Sequence, residues 1–240
     1  MKSINQLIIT LTVCLFSIQA WAQSGKLFNT DNQLSSNLAT QVFQDKSGFI
    51  WIATRNGLNT YDGYHITVMK KDMSNFLGLK SNYINSIAQD DKGHILLGTN
   101  NSLLEFTGSE FHKIPMLDSK GEELATYVKQ VYPLKNKDVA VATSGYGIMI
   151  KKIDVQECHA MKGEVEKLKY IHKLLEDKRG RLWIITEDGK LYRKETNGRV
   201  TSHFVGTEGV NAQDIQQDVL GNLYLASKNQ GVHLLRAGSN

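Results

Sequence analysis

The sequence is poor in the residues that interrupt or cross-link a polypeptide. It contains only two prolines and two cysteines among 240 residues. The scarcity of proline excludes a proline-rich linker, and the scarcity of cysteine excludes a disulfide scaffold or a cysteine-based zinc site. The sequence also lacks a strong excess of either charge, because it contains 28 Lys and Arg and 24 Asp and Glu. So weak a basic excess does not indicate a nucleic-acid partner.

Long apolar runs are absent too, except near the N terminus. Lys2 precedes a mostly apolar stretch over residues 7–18, and residues 20–22 read Ala-Trp-Ala. This pattern predicts a signal peptide over residues 1–22, cleaved after Ala22, and therefore a periplasmic or otherwise exported protein. A membrane anchor is the alternative, although the run is shorter than the ~20 residues of a membrane span. The mature chain, 23–240, contains no predicted span and keeps one thiol, that of Cys158.

What the sequence does contain is a repeat. The repeat unit occurs five times, and its third copy is degenerate. It consists of an apolar stretch, Asp-x-x-Gly, a second apolar stretch ending in Thr or Ser, and then Gly. The hydroxyl residues that end the second stretch are spaced by 45, 44, 43 and 41 positions and fall at Thr54, Thr99, Thr143, Thr186 and Ser227. A period of 40–50 residues with this many β-forming residues is typical of β-propeller blades.

Each copy predicts a four-stranded meander. Asp-x-x-Gly between apolar runs is a tight hairpin, in which Asp accepts backbone hydrogen bonds and Gly takes positive φ. The runs at 49–52 and 182–185 are too short for helices and predict inner strands buried on both faces, so Trp51 and Trp183 are expected in the core. The predicted blades span about 34–71, 79–115, 127–161, 170–204 and 210–236.

The fifth copy ends after its third strand, at Arg236. Residues 26–28, Lys-Leu-Phe, form a spare strand that could complete the fifth blade and close the ring. We therefore predict an all-β propeller of about five blades, forming an open arc of a larger ring. A closed five-bladed ring is the alternative.

The stretch from Asp45 to Gly63, DKSGFIWIATRNGLNTYDG, together with Leu-Ser-Ser-Asn at 34–37, resembles the two-component-regulator propeller repeat. Such repeats form the periplasmic sensor region of hybrid histidine kinases, and the resemblance extends from about Gly25 to Arg236. Because these sensors contain seven-bladed propellers, the resemblance implies that the five blades are an incomplete part of a seven-bladed propeller. It implies detection of carbohydrate-derived ligands, with the signal passed to kinase and transcription-regulating domains outside this sequence. We expect an N-terminal piece of such a sensor, with a stand-alone remnant as the alternative.

Motifs for catalysis are missing from the sequence. The seven histidines show no His-x-x-x-His metal spacing, and adjacent Cys158 and His159 would point to opposite faces of a strand. Residues 90–93, Asp-Asp-Lys-Gly, resemble a calcium loop only faintly and are interpreted as a turn. We predict no catalytic residue, no metal site and no cofactor. A protein-interaction propeller is the alternative function, and a lyase or hydrolase is less favoured.

Ligand-binding candidates come from blade geometry. The loop before the first strand and the loop between the second and third strands lie on one face of a propeller, and their side chains vary between copies. Amide, cationic and phenolic groups there suit an oligosaccharide or another small polar ligand. We select Arg55 and Tyr146 first, within the set Asn37, Arg55, Asn56, Asn100, Asn101, Tyr146, Glu187 and Lys228. Unpaired blade edges would favour a homodimer.

Overall fold

A computed structural model describes residues 25–71, 78–203 and 209–238. The predicted signal peptide lies outside the described residues. The five sheets form successive blades of a β-propeller, which confirms the predicted all-β fold class. The described residues also contain two short 3-10 helices: Thr30–Asn32 precedes the first sheet, and Glu164–Lys167 lies between the third and fourth.

The first two blades are four-stranded antiparallel meanders. Blade 1 contains β1 (Ala39–Gln44), β2 (Ile50–Thr54), β3 (Gly57–Tyr61) and β4 (Ile66–Met69). Blade 2 contains β5 (Ile84–Gln89), β6 (Ile95–Thr99), β7 (Leu103–Phe106) and β8 (Phe111–Ile114). In each blade the first strand is innermost, next to the central channel, and the chain moves outward strand by strand.

The last three blades keep this order with two variations. Blade 3 contains β9 (Met116–Leu117), β10 (Val128–Pro133), β11 (Val139–Thr143), β12 (Ile148–Lys151) and β13 (Cys158–Ala160), with β9 parallel to β13 at its outer edge. Blade 4 contains β14 (Ile171–Glu176), β15 (Leu182–Thr186), β16 (Leu191–Lys194) and β17 (Val200–His203). The described part of blade 5 contains β18 (Ala212–Gln217), β19 (Leu223–Ser227) and β20 (Val232–Leu235).

The hairpin between the first two strands has the predicted chemistry. In blade 1 the Asp45 carboxylate accepts hydrogen bonds from the N–H groups of Ser47 and Phe49, at 2.8 and 3.0 Å. Gly48 follows with φ of 93°, a left-handed conformation that costs glycine little. In degenerate blade 3 the same conformation falls on Lys137, with φ of 73°, so the hairpin survives the loss of its glycine.

Four apolar clusters join the five blades in series. Each cluster combines one face of a blade with the opposing face of the next blade. Trp51 and Trp183 are 6% and 2% exposed and lie in the first and last clusters, which confirms their predicted place in the core. Among the described residues, no fifth cluster joins blade 5 to blade 1.

The predicted closing strand does not form in this structure. Residues 26–28 belong to no strand, and the described part of blade 5 ends with β20, which pairs only with β19. Phe28 instead packs on blade 1, with its ring 4.9 Å from that of Tyr61. Lys26 lies over the same two rings. Phe28 therefore packs against blade 1 instead of belonging to a fourth strand of blade 5.

Candidate ligand site at the channel mouth

Every innermost strand carries a β-bulge near its first residue. The register with the second strand shifts at the same place in all five blades. One residue per blade is left unpaired there, namely Thr40, Asn85, Lys129, His172 and Gln213. Because a bulge changes the direction of a side chain and interrupts the ladder, these five residues are free to make contacts other than sheet pairing.

The bulge residues connect neighbouring blades around the channel. The Thr40 hydroxyl donates to the carbonyl of Ile84 at 2.6 Å, and the Asn85 amide donates to the carbonyl of Val128 at 3.0 Å. Both acceptors are the first residue of the next innermost strand. Lys129 also reaches the next blade, where its Nζ lies 3.4 Å from Glu187 Oε1.

A backbone hydrogen bond places the predicted loop residues at this same end. The N–H after each Thr or Ser anchor donates to the carbonyl of the residue before the innermost strand in four blades. The pairs are Arg55 to Leu38, Ser144 to Tyr127, Glu187 to Tyr170 and Lys228 to Asn211, at 2.8–3.1 Å. The two kinds of loop thus meet beside the bulges, on the face where ligand-binding residues were predicted.

Five side chains form a continuous array across blades 1 to 4, here called the mouth cluster: Arg55, Tyr83, Tyr127, Lys129 and Glu187. The Arg55 guanidinium lies 5.5 Å from the centre of the Tyr83 ring. Tyr83 and Tyr127 meet edge to face, with ring centres 6.1 Å apart. The Lys129 ammonium lies 4.4 Å from the centre of the Tyr127 ring and pairs with Glu187.

The surroundings of Tyr127 disfavour its ionised form. Burial and the neighbouring Tyr83 raise the pKa of Tyr127 to about 12, and its hydroxyl donates to Asn85 Oδ1 at 2.8 Å. Burial also lowers the pKa of His172, with the cations of Lys129 and Lys173 acting in the same direction. The mouth cluster therefore contains two phenols, two basic side chains and one acidic side chain, and it lies near His172, whose neutral form is favoured.

Two of the predicted site residues, Arg55 and Glu187, belong to the mouth cluster. Three of the other six bond to nearby residues. Asn37 accepts from the N–H of Thr30, and Asn100 accepts from the Ser81 hydroxyl. Asn101 accepts from the Thr99 hydroxyl within its own turn. Asn56 and Lys228 are exposed in their loops.

The structure places Tyr146 in a groove whose lining does not include Arg55. Its side chain is 43% exposed and lines a groove of about 600 Å³ beside the outer strands of blade 3. Leu117, Met149, His159 and Lys169 line the same groove. The two residues selected first from the sequence are therefore not brought together in one site.

Sequence reasoning left Tyr127, Lys129, Asn85 and His172 out of the candidate set. Their positions do carry a signal, because a tyrosine comes directly before the innermost strand in three successive copies, at 83, 127 and 170. The bulge that follows is not visible in the hydrophobic pattern. Without the bulge, strict alternation assigns the next side chain to a blade face instead of to the channel mouth.

The sequence profile of the family described as "Two component regulator propeller" matches residues 33–56, 78–101 and 167–188. Each match runs from the loop before an innermost strand to just beyond the anchor threonine, in blades 1, 2 and 4. Three segments of the chain therefore match the two-component-regulator propeller repeat. The expected resemblance is thus confirmed. A comparison with curated protein sequences gives no significant match.

Solved structures agree with the fold of this propeller. The extracellular domain of a hybrid two component system from B. thetaiotaomicron superposes with a TM-score of 0.68 at 16% identity, covering 85% of the chain. The chain spans 31% of the length of that structure. Virginiamycin B lyase from Staphylococcus aureus superposes with a TM-score of 0.63 at 11% identity, over 84% of the chain and 71% of the lyase. At these identities the likeness concerns the fold alone.

Proposed function

We propose that this propeller is the extracytoplasmic ligand-sensing part of a hybrid two-component system. In this proposal it is exported after removal of residues 1–22, binds a carbohydrate-derived ligand and passes the signal to kinase and transcription-regulating domains. The repeat family supports the sensory role. In the described residues, no helix has the length and apolar character needed to cross a membrane.

The mouth cluster is the observation that carries the proposal. Tyrosine combines a flat apolar ring with a polar tip, so Tyr83 and Tyr127 can pack on a sugar ring while hydrogen bonding to its hydroxyls. Arg55 and Lys129 add donors suited to hydroxyl or carboxylate groups. The rigid inner ends of the strands hold these side chains, and function is often placed on loops supported by such a scaffold.

The chemistry of the mouth cluster favours binding over catalysis. A lyase or hydrolase needs a general base within hydrogen-bond reach of the reacting proton and an opposing acid. Glu187 is already paired with Lys129, and Tyr127 is neutral with its proton donated to Asn85. We therefore propose that ligand leaves this site chemically unchanged.

Thermal unfolding of residues 23–240 against a panel of neutral and acidic oligosaccharides tests the proposal. A ligand at 100 times its Kd adds about 2.7 kcal/mol to the free energy of unfolding, which gives a saturable rise in Tm. We expect Tyr127→Ala and Arg55→Ala each to weaken binding by about tenfold or more, since buried aromatic and arginine contacts dominate recognition.

Tyr146→Ala is the matched control, because it removes an equally large tyrosine from the separate blade 3 groove. Binding should survive this change, and mass spectrometry should recover the ligand uncleaved. If the affinity for the ligand falls in Tyr146→Ala but not in Tyr127→Ala, the ligand binds in the groove and not at the mouth cluster. Cleavage of the ligand would contradict the proposed sensor role and indicate an enzyme.

A further inference from the structure

Blade 2 differs from the other blades at its hairpin aspartate. In three blades an aromatic side chain six positions later donates a hydrogen bond to that carboxylate: Trp51 to Asp45 at 2.8 Å, Trp183 to Asp177 at 2.9 Å and Tyr224 to Asp218 at 3.2 Å. In blade 2 this position is Leu96, which has no donor. Asp90 therefore lacks the partner that the repeat provides elsewhere.

A second carboxylate and an imidazole face Asp90 instead. Glu105 on β7 is the cross-strand partner of Leu96, and its Oε1 lies 3.3 Å from His94 Nδ1. The same Nδ1 lies 3.5 Å from Asp90 Oδ2. One ligand atom from each of the three residues lies within 4.8 Å of the others. The Asp90 and Glu105 side chains are each 6% exposed, and that of His94 is 32% exposed.

The two carboxylates of this cluster are buried side by side, which is unfavourable unless positive charge lies close to them. Lys151 of blade 3 lies near one of them, with its Nζ 4.0 Å from Glu105 Oε1 and its side chain 3% exposed. Nδ1 carries at most one hydrogen, so His94 Nδ1 cannot donate a full hydrogen bond to Asp90 and to Glu105 at the same time.

We propose that Asp90, His94 and Glu105 bind a divalent transition-metal ion, with Zn²⁺ as the ion of best fit. Bonds of about 2.0–2.2 Å in a tetrahedron place ligand atoms roughly 3.3–3.6 Å apart, close to the two distances around His94 Nδ1. Three protein ligands leave the fourth position to water. The ion would replace a proton on Nδ1 and fasten the β5–β6 hairpin to β7, which stabilises blade 2.

Zn²⁺ titration of the chelator-treated chain tests the site. We expect one Zn²⁺ per chain by isothermal titration calorimetry and a saturable rise in Tm. His94→Ala and Glu105→Gln should each weaken binding by at least about tenfold. X-ray absorption should report nitrogen and oxygen ligands without sulfur, since Cys158 is fully buried elsewhere in blade 3.

His159→Ala provides the matched control. His159 also faces a glutamate, Glu157, with 2.8 Å between Nε2 and Oε1, but that pair has no third ligand in the described residues. Zn²⁺ binding should be unchanged in this variant. Lys151→Met should tighten binding, because the ammonium group competes with the ion for Glu105.

Several results would overturn the proposal. Absence of a saturable Zn²⁺ response in the wild type would show that these three side chains bind no ion. A response that persists in His94→Ala, or that disappears in His159→Ala, would place the ion elsewhere. If Glu105→Gln fails to fold, the half-buried His94→Ala variant still decides the question.

Discussion

The faces pressed together between successive blades differ from the two faces at the ends of the series. Trp183 and Tyr224 occupy the same position of the repeat, six residues after the hairpin aspartate. Trp183 is covered by blade 5 and is 2% exposed, whereas Tyr224 on the far face of blade 5 is 41% exposed. On the opposite end, Val42 of β1 is 63% exposed while its counterpart Ile87 of β5 is 1% exposed. The same position of the repeat is therefore buried or exposed according to whether a neighbouring blade covers it.

The hydrogen bonds between blades show the same difference. In three blades, the backbone N–H of the residue after the hairpin aspartate or its counterpart donates to a side chain of the next blade. The pairs are Lys46 to Gln89, Lys135 to Glu176 and Lys178 to Gln217, at 2.7–2.9 Å. Gln44 is the counterpart of Gln89 in blade 1, and no hydrogen bond from another described residue reaches its Oε1. Three of the four interfaces between successive blades therefore contain this hydrogen bond, and the acceptor of blade 1 is unused among the described residues.

The largest expected effect comes from removing the covered aromatic. Trp183→Ala should lower the free energy of unfolding by about 3–5 kcal/mol, because it leaves a cavity and deprives the buried Asp177 of a donor. Tyr224→Ala is the matched change on the uncovered face and should cost much less. Urea unfolding of both variants measures the difference. Equal losses would show that blade 5 is covered in solution.

A smaller effect is expected from one inter-blade hydrogen-bonding side chain. Gln41 accepts from the Ile87 N–H at 2.8 Å and donates to the Ile87 carbonyl at 2.9 Å. Gln41→Ala leaves both buried backbone groups unpaired and should cost about 1–3 kcal/mol.

Asp214→Ala is the corresponding change in blade 5, where the side chain pairs with Lys173 at 3.2 Å and is 46% exposed. A half-exposed ion pair contributes about 0–1 kcal/mol. Chemical denaturation should therefore rank Gln41→Ala above Asp214→Ala. The reverse order would contradict the interface role of Gln41.

Acid should also separate a covered hairpin from an uncovered one. Burial raises the pKa of Asp177, but hydrogen bonds from Trp183 and Arg181 outweigh it and hold that pKa below 3.8. The unfolded state then binds a proton before the folded state does, so this stabilisation is present above pH 3.8 and is lost as pH falls through the folded pKa. Asp177→Asn should flatten the acid limb of the stability curve. Asp218→Asn, on the exposed hairpin, should flatten it less.

The smallest stability change is expected on the uncovered face of blade 5. Val232 and Leu234 are 67% and 47% exposed there, so Val232→Lys should change the free energy of unfolding by no more than about 0.5 kcal/mol. It should, however, reduce concentration-dependent association, because an added charge protects an open sheet edge. Light scattering at increasing protein concentration measures this effect. Unchanged scattering would exclude the blade 5 face from association.

The sequence by itself determined the blades. A 41–45-residue period, a hairpin motif and short apolar runs are local properties, and they predicted the five meanders and the burial of Trp51 and Trp183. It also identified the loop face, since two loops per repeat must emerge on the same side. The degenerate third copy still folds as a blade because its neighbours bury both of its faces. In its hairpin, Lys137 adopts the positive φ that glycine adopts in the other copies.

Only the tertiary structure decided which side chains meet. The mouth cluster joins residues from four blades, and Tyr127 and Lys129 enter it through a bulge that shifts side-chain direction without changing the apolar pattern. The same holds for His94 and Glu105, which are unremarkable in sequence and face each other across neighbouring strands. Long-range proximity depends on register and blade stacking, and a periodic sequence specifies these only once the blades are packed together.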